Sequence, residues 1–341
     1  MNLLIFLSDR CNMSCDYCFL SLNQGAAVVL ELEAARLAAR EHRARHGARA
    51  RFTVLGGEPF IHYPLLKAVA AAVAEEAPGS PVGVVTNGTR LCPKMLGELS
   101  ALGARVTVSL DGRAAAHDGH RKLVGEKGSS FAESLKALEG CDKSLLRANM
   151  VVCADTVGGL AGNVEALREA GLRSLSFHLN ILEPWTADGL AALERSLAGF
   201  ARYWKALCAA APLALELSHL ASFAPLAPDH GYDELVLGAD GRYYPCDGLF
   251  SRRYAELGAW TVGQPGAGLD EDKRAAFHGQ ALAFIHGVFK DAPHDSCPRE
   301  VYFHARALGA DPSPALLSFH RADAVLGRAL RGLAGGVHAA R

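Results

Sequence analysis

The sequence has no surplus of charge of either sign: 35 Lys and Arg stand against 36 Asp and Glu, a formal net charge of −1. A chain so balanced has no electrostatic grip on a phosphate backbone or an anionic lipid surface, so neither nucleic acid nor a membrane is an expected partner. It also lacks an uncharged apolar run of bilayer length; the stretch 65–73, for example, is interrupted by Lys67. No basic leader precedes the apolar residues 3–7, which run straight into Ser8, Asp9 and Arg10, so they read as a buried strand and not as an export signal. A soluble, cytoplasmic protein is expected. There is no internal repeat and no low-complexity linker. Cysteine is not scarce, with nine residues, but a reducing compartment and a chain of 341 residues make a disulfide framework unneeded.

What the sequence does contain is an alternation. β-Rich runs at 3–7, 51–55, 82–85, 105–109, 147–152 and 174–179 are separated by stretches of helical periodicity at 30–46, 63–76, 92–102, 129–138 and 160–170. Strand followed by helix, repeated, implies parallel pairing through right-handed crossovers. Six units are too few for a closed eight-stranded barrel and fit an α/β fold with a partial, TIM-like (β/α)6 barrel. After a longer helical segment at 187–211 the pattern changes. Pro212 cannot continue that helix, and a short strand pair is expected at 235–237 and 242–244 around Gly238, Asp240 and Gly241. Two more helical stretches follow, 271–288 and 314–333. The division drawn from this is a barrel core at 1–211 and a smaller α+β region at 212–341.

Directly after the first expected strand stands Cys11-Asn-Met-Ser-Cys15-Asp-Tyr-Cys18. Three thiolates on one tight loop can hold three irons of a [4Fe-4S] cubane and leave the fourth iron open. A closed structural zinc site would want a fourth protein ligand, and no further Cys or His lies close in sequence. Three buried, unliganded cysteines are the remaining reading.

With Tyr17 before the third cysteine, this spacing resembles the signature of the radical S-adenosylmethionine (radical SAM) superfamily. Further motifs follow after successive strands: Gly56-Gly57-Glu58-Pro59, then Thr86-Asn87-Gly88-Thr89, then Ser109-Leu110-Asp111-Gly112 with His117-Asp118 and Arg121. In this order they are similar to the SAM-binding motifs of the family, above all those of the anaerobic sulfatase-maturating enzymes and their peptide-modifying relatives. The resemblance spans residues 1–180. Singly, Gly56-Gly57 or Asn87-Gly88 is an ordinary turn. All of the motifs, however, fall at the carboxyl ends of expected strands, where parallel barrels build their active sites. The resemblance implies a [4Fe-4S] cluster on Cys11, Cys15 and Cys18 whose open iron chelates SAM. It implies reductive cleavage of SAM to a 5′-deoxyadenosyl radical, which abstracts a substrate hydrogen. It implies that Gly56 and Gly57 let main chain approach the cofactor's ammonium, and that Glu58 accepts a hydrogen bond from it. Ser109 and Arg121 would suit its carboxylate, and Asp111 its ribose hydroxyls. Asn87 and the backbone near Tyr17 would face ribose or adenine, with Pro59 and Thr86 completing the cofactor-binding set.

Beyond residue 220, Asp240-Gly241-Arg-Tyr-Tyr-Pro-Cys246-Asp247 and then Leu257-Gly258 look like the start of the SPASM or twitch extension of such enzymes, which carries auxiliary [4Fe-4S] clusters. A full SPASM extension needs seven cysteines. Six remain outside the first motif, and Cys92, Cys141 and Cys153 lie in the core, so two complete cysteine-ligated auxiliary clusters are excluded. Cys246, Cys297 and Cys208 are left, together with His230 and with His294 three residues before Cys297. Imidazole can replace thiolate on iron. An auxiliary cluster that uses Cys246 and Cys297, and a degenerate extension that has kept its shape and lost its metal, both stay open.

The expected activity is an oxidation, cross-link or epimerisation on a peptide or natural-product precursor, driven by a reductant such as flavodoxin or ferredoxin. With no recognition domain before the first strand, a peptide substrate calls for a separate recognition protein or for direct contact with the loop 180–188. The alternative is a dehydrogenase or epimerase of a small sugar-like or aminocyclitol metabolite. A non-catalytic iron-sulfur electron carrier is the alternative of another class, and the SAM motifs speak against it. Substrate entry is expected between the fourth to sixth strand ends and the C-terminal region. There Glu183 and Trp185 could grip a side chain or merely cap the next helix. Cys153, at the end of the fifth strand, could donate a hydrogen atom in an epimerisation or simply pack.

Overall fold

The computed structural model describes residues 1–20, 27–125, 128–180, 182–210, 215–217, 234–289 and 298–338. The first part of the chain forms β1 (Asn2–Phe6), β2 (Met13–Cys15), α1 (Leu32–His46), β3 (Arg51–Leu55), α2 (Tyr63–Glu76), β4 (Val82–Thr86), α3 (Pro93–Ala101) and β5 (Ala104–Ser109). There follow α4 (Ala114–His120), β6 (Arg121–Leu123), α5 (Ser130–Ala137), β7 (Leu146–Val152), α6 (Leu160–Glu169), β8 (Ser174–Leu179), α7 (Ala187–Ala210) and β9 (Glu216–Leu217). The C-terminal part contains β10 (Glu234–Leu237), β11 (Tyr243–Tyr244), β12 (Gly263–Gln264), β13 (Gly268–Leu269), α8 (Glu271–Phe289), α9 (Pro298–Ala307) and α10 (Ser313–His338).

The strands of the main sheet run in the order β13-β12-β11-β10-β1-β3-β4-β5-β7-β8-β9. From β10 to β9 every neighbouring pair is parallel, whereas β10 to β13 are joined antiparallel. The six strands expected from the alternation are therefore adjacent and parallel, and no pairing closes the sheet among the described residues: this is a partial α/β barrel. Helices cover a parallel sheet on its faces, which is why its strands read as short apolar runs.

Side chains alternate across β1, and both sets are buried. Leu3 and Ile5, with Leu7 beyond, face a core shared with Phe52, Val54, Val84 and Val106. Leu4 and Phe6 face a second core with Val236, Tyr244, Leu249, Phe250 and Phe303, in which the Phe6 and Phe250 rings stack at 4.7 Å. The expected strand pair near residue 240 is present as β10 and β11. Its first strand prolongs the main sheet, because β10 pairs with β1 in the register Leu3↔Leu235 and Ile5↔Leu237. α10 packs against α7 and sends Val325, Leu326, Leu330 and Leu333 into the first core. Among the described residues no helix is long and apolar enough to cross a membrane.

Candidate active site

Because β1, β3, β4, β5, β7 and β8 are parallel, the loops that follow them open on one rim of the sheet. The cysteine loop leaves β1 and is fastened by a second, two-stranded sheet in which β2 pairs antiparallel with β6, Met13 opposite Leu123 and Cys15 opposite Arg121. Within the loop the Cys18 amide donates to the Cys15 carbonyl at 3.2 Å, and the Met13 amide donates to Cys11 Sγ at 3.3 Å. Burial pushes the thiols up, Cys11 to about 12 and Cys15 to about 11, and Cys18 in the same direction. Left to themselves these are inert thiols; the charge of a metal is what turns such groups into thiolate ligands.

The glycine motif fits a cluster-bearing loop for a reason different from the one expected. A Cβ on Gly57 would stand 2.1 Å from the Arg10 carbonyl oxygen, and one on Gly56, whose φ is +138°, 2.6 Å from that of Ser8. The two glycines thus let the end of β3 lie directly against the backbone of the cysteine loop, and not only against a cofactor. Gly57 N–H donates to Ser8 O and Glu58 N–H to Arg10 O, each at 2.8 Å. The Glu58 side chain is 1% exposed. Its Oε1 accepts from Phe60 N–H at 3.0 Å and Thr86 Oγ1 at 2.7 Å, and its Oε2 from Asn87 N–H at 2.7 Å. A carboxylate has about four acceptor positions, so one on Oε2 is left for the ammonium contact that the resemblance implies. Burial raises the Glu58 pKa against these hydrogen bonds. Pro59 opens the 3-10 turn Pro59–His62 and is buried.

Asn87 is committed to the cysteine loop as well. Its Nδ2 donates to Asn12 Oδ1 at 2.9 Å, its Oδ1 accepts from Thr89 Oγ1 at 2.7 Å, and Asn12 Nδ2 donates to Thr89 Oγ1 at 2.9 Å. This side-chain ring links the end of β4 to the cysteine loop.

Asp111 and Arg121, both expected to meet the cofactor, also meet each other. Arg121 donates from Nε to Asp111 Oδ2 at 2.8 Å and from Nη2 to Asp111 Oδ1 at 3.0 Å. Oδ1 also accepts from Val151 N–H at 2.9 Å, and Oδ2 accepts from the Tyr17 hydroxyl. Four donors thus meet the Asp111 carboxylate. Arg121 keeps three of its five N–H donors outside the pair, two on Nη1 and one on Nη2. Burial disfavours both ions, and each charge offsets it: the Arg121 charge holds the Asp111 carboxyl below its ordinary range, and Asp111 holds Arg121 above its own. The pair ties the end of β5 to β6, and through Tyr17 to the cysteine loop. Ser109 ends β5, half-buried, in register with Asn149.

The ends of β7 and β8 form the adjoining wall. Cys153 is 2% exposed and its Sγ accepts from Asn180 Nδ2 at 3.7 Å. His120 Nδ1 lies 2.9 and 3.1 Å from the two carboxylate oxygens of Asp16, and its Nε2 lies 3.1 Å from Asp155 Oδ1. Glu183 Oε2 accepts from Ala154 N–H at 3.0 Å. Trp185 does not line this wall as a free aromatic grip: it is buried, its amide donates to Ser318 Oγ of α10 at 2.7 Å and its Nε1 to Asn180 O at 3.0 Å. Neither His120, Asp16 nor Asp155 stands out in the sequence as a site residue. The signal was adjacency, Asp16 lying between two cysteines of the motif and His120 directly before Arg121.

In the C-terminal region Cys246 is buried at the head of the 3-10 segment Asp247–Ser251, its thiol donating to Asp247 Oδ1 at 3.6 Å. Cys208 belongs elsewhere, on α7 against the first core. Cys297, His230 and His294 lie outside the described residues.

The profile of the Radical SAM superfamily matches residues 5–160. A GTP 3′,8-cyclase of Mycolicibacterium smegmatis is 34% identical over 199 residues, 57% of this chain and 53% of that protein. A GTP 3′,8-cyclase of Parasynechococcus marenigrum is 38% identical over 125 residues, 31% of this chain and 32% of that protein. The chain thus spans about half and about a third of the length of these relatives. In fold it is similar to native anSMEcpe with bound AdoMet, with a TM-score of 0.72 at 16% identity over 98% of this chain and 99% of that one. It is also similar to Streptococcus suis SuiB bound to the precursor peptide SuiA, with a TM-score of 0.52 at 16% identity over 72% and 59%. Residues 5–160 match the radical SAM superfamily, and in fold nearly the whole chain is similar to anSMEcpe.

Proposed function

We propose that this protein is a radical SAM enzyme that modifies a peptide or natural-product precursor by oxidation, cross-linking or epimerisation. When bound, a [4Fe-4S] cluster on Cys11, Cys15 and Cys18 supplies the electron that cleaves SAM and so provides the hydrogen-abstracting group. The chain's own part is to hold the cysteine loop rigid through Gly56, Gly57, Glu58, Asn87 and the Asp111–Arg121 pair, and to present SAM to the wall at the ends of β7 and β8. A small electron carrier such as flavodoxin or ferredoxin supplies the reductant, and a peptide substrate is recognised either by a separate protein or directly by the loop bearing Glu183.

The observation that carries the substrate class is the charge of that wall. Asp16, Asp155 and Glu183 place three carboxylates around Cys153 and His120, which repels a triphosphate and suits a neutral or cationic partner. Whole-length likeness in fold to anSMEcpe, of which one structure holds AdoMet and a peptide, supports the same choice. The relatives named GTP 3′,8-cyclase favour a second reading, a nucleotide-sized metabolite, over the part of the chain they match. Cys153 is the proposed hydrogen donor if the outcome is epimerisation, since burial and then the charge of Glu183 push its thiol up to about 12 and keep its proton in place. Glu183 is proposed to orient the substrate beside it. The extension at 212–341 is proposed as a second, twitch-like region, with Cys246 as its candidate cluster ligand.

The test is anaerobic reconstitution followed by reduction with SAM present. 5′-Deoxyadenosine should form, and a variant with Cys11, Cys15 and Cys18 all changed to Ala should form none. Consumption of GTP coupled to 5′-deoxyadenosine, with no response to any peptide, would reject the peptide reading. Iron retained at about four per chain in the triple variant would assign an auxiliary cluster, and iron near zero would leave the extension empty.

A further inference from the structure

We propose that His120, Cys153 and Asp155 form a three-ligand site for a divalent, zinc-like cation at the rim of the barrel, with its fourth position open to the substrate. The imidazole nitrogen, the thiol sulfur and a carboxylate oxygen lie within 4.8 Å of one another. Ligand atoms around a tetrahedral zinc ion are about 3.5 Å apart, so side-chain rotation of an ångström or less closes the set. The three donors come from two segments held firmly in place. Cys153 follows β7, its amide donating to Thr156 Oγ1 at 3.1 Å. His120 ends α4, and its carbonyl accepts from Asp16 N–H at 3.1 Å.

The surroundings supply what a metal ligand set requires beyond the ligands. Asp16 receives His120 Nδ1 on both of its oxygens, which fixes the ring and, in the neutral tautomer, turns the Nε2 lone pair toward Cys153 and Asp155; metal-bound histidines almost always have such a partner. Nε2 then lies 3.1 Å from Asp155 Oδ1, a gap that either a proton or a metal cation can bridge. A proton can fill that gap, giving an imidazolium bridging two aspartates, and burial of His120 is indeed outweighed by Asp16 and Asp155, which hold its pKa above the ordinary value. A proton accounts for Nε2 and Asp155 and leaves the sulfur its long 3.7 Å contact from Asn180 Nδ2, whereas a metal would use it as a ligand. Burial first, and then the charges of Glu183, Asp111 and Asp155, hold the thiol's proton on; those charges also attract a divalent cation, whose own charge would release that proton. Access is open, since the Asp155 side chain is 68% exposed while Cys153 is buried beneath it.

Mixed N, S and O donors suit zinc better than magnesium or calcium, which prefer oxygen alone. Three protein ligands and one open position is the arrangement of a zinc that meets a substrate. Its bearing on the substrate rests on the function proposed above: the open position would take a sulfur or oxygen atom of the precursor. A thiolate held by metal has no hydrogen to give, so occupancy excludes Cys153 as the donor of an epimerisation and leaves oxidation or cross-linking.

The test uses the cluster-loaded enzyme, incubated with zinc chloride, passed over a desalting column and analysed for zinc and iron. One zinc per chain beyond the iron-sulfur content is expected. Cys153→Ala and His120→Gln should lose it with iron unchanged, and Asp155→Asn, at an exposed position that cannot unfold the core, should weaken zinc at least tenfold against a chromophoric chelator. Zinc absent from the wild type, zinc retained by all three variants, or zinc and iron lost together would each overturn the site. SAM cleavage without substrate is followed in the same samples: its failure would count against the proposed function, whereas loss of zinc with cleavage intact would not.

Discussion

Replacing Gly57 by Ala tests whether the glycine motif is a junction between two loops. The added Cβ would stand 2.1 Å from Arg10 O, 2.4 Å from Arg10 C and 3.0 Å from Cys11 N, all main-chain atoms that no side-chain rotation can move aside. Reaching an ordinary contact means parting the end of β3 from the cysteine loop by more than an ångström. The hydrogen bonds from Gly57 N–H to Ser8 O and from Glu58 N–H to Arg10 O, both 2.8 Å, would then be lost. Overpacking costs about 1–3 kcal/mol and each hydrogen bond about 1 kcal/mol. The sum, about 3–5 kcal/mol, is a large share of the roughly 5–15 kcal/mol that holds a typical domain together. Gly97 in α3 is the control, since a Cβ there meets nothing within 4 Å; Gly97→Ala should gain about 0.5–1 kcal/mol from helix propensity. Urea unfolding of the apo proteins measures both, and iron and sulfide per chain after reconstitution measure the loop. A Gly57→Ala protein within about 0.5 kcal/mol of the wild type, with its full iron content, would refute the junction.

Asp111→Asn removes one partner of a buried ion pair and should cost about 3–5 kcal/mol, with iron loading falling in parallel because Tyr17 and Arg121 lose their common anchor; unchanged melting would show that the pair is dispensable. Phe250→Ala should cost about 3–5 kcal/mol by emptying the second core against Phe6, yet leave iron per chain unaltered, and a selective loss of iron would contradict the separation of the two cores. Burial, then the neighbouring His46, holds His42 at a pKa of about 4 against 6.5 in the unfolded chain, so the unfolded chain binds the extra proton and stability falls as the pH drops through this interval. At pH 5 the loss is about 2 kcal/mol, and His42→Gln should remove that part of the pH 7-to-5 difference in urea midpoint; a wild type that gains stability on acidification would reverse the sign.

The six parallel strands were legible because each is a self-contained apolar run between turn residues, and α1, α2, α7 and α10 because they are long enough for periodicity to show. β2 and β6 were not, since Met-Ser-Cys and Arg-Lys-Leu are three residues each and carry no alternation. α4, seven residues ending in His-Asp-Gly-His, has too little apolar face to announce a helix. The pairing of β1 with β10 joins residues more than 230 positions apart and leaves no local trace. The site shows the same division. Motif spacing singled out the segments after β1, β3, β4 and β5, but the partners were invisible: that Glu58 is held by Thr86 and Asn87, or that Asp111 meets Arg121, Tyr17 and Val151, depends on which side chains converge in space.

The placement of β1 between β3 and β10 also sets a timetable for the growing chain. One edge of β1 can be covered as soon as β3 has been made, but the other waits for Glu234–Leu237, some 180 residues later. At a synthesis rate of about 5–20 residues per second that edge stays bare for roughly 10–40 s. During that interval Leu4 and Phe6 have none of the second core to cover them, and an uncovered strand edge can pair with other chains. The strand leading into the cysteine loop thus leaves the ribosome well before it is enclosed, so folding of that loop and completion of the sheet overlap in time.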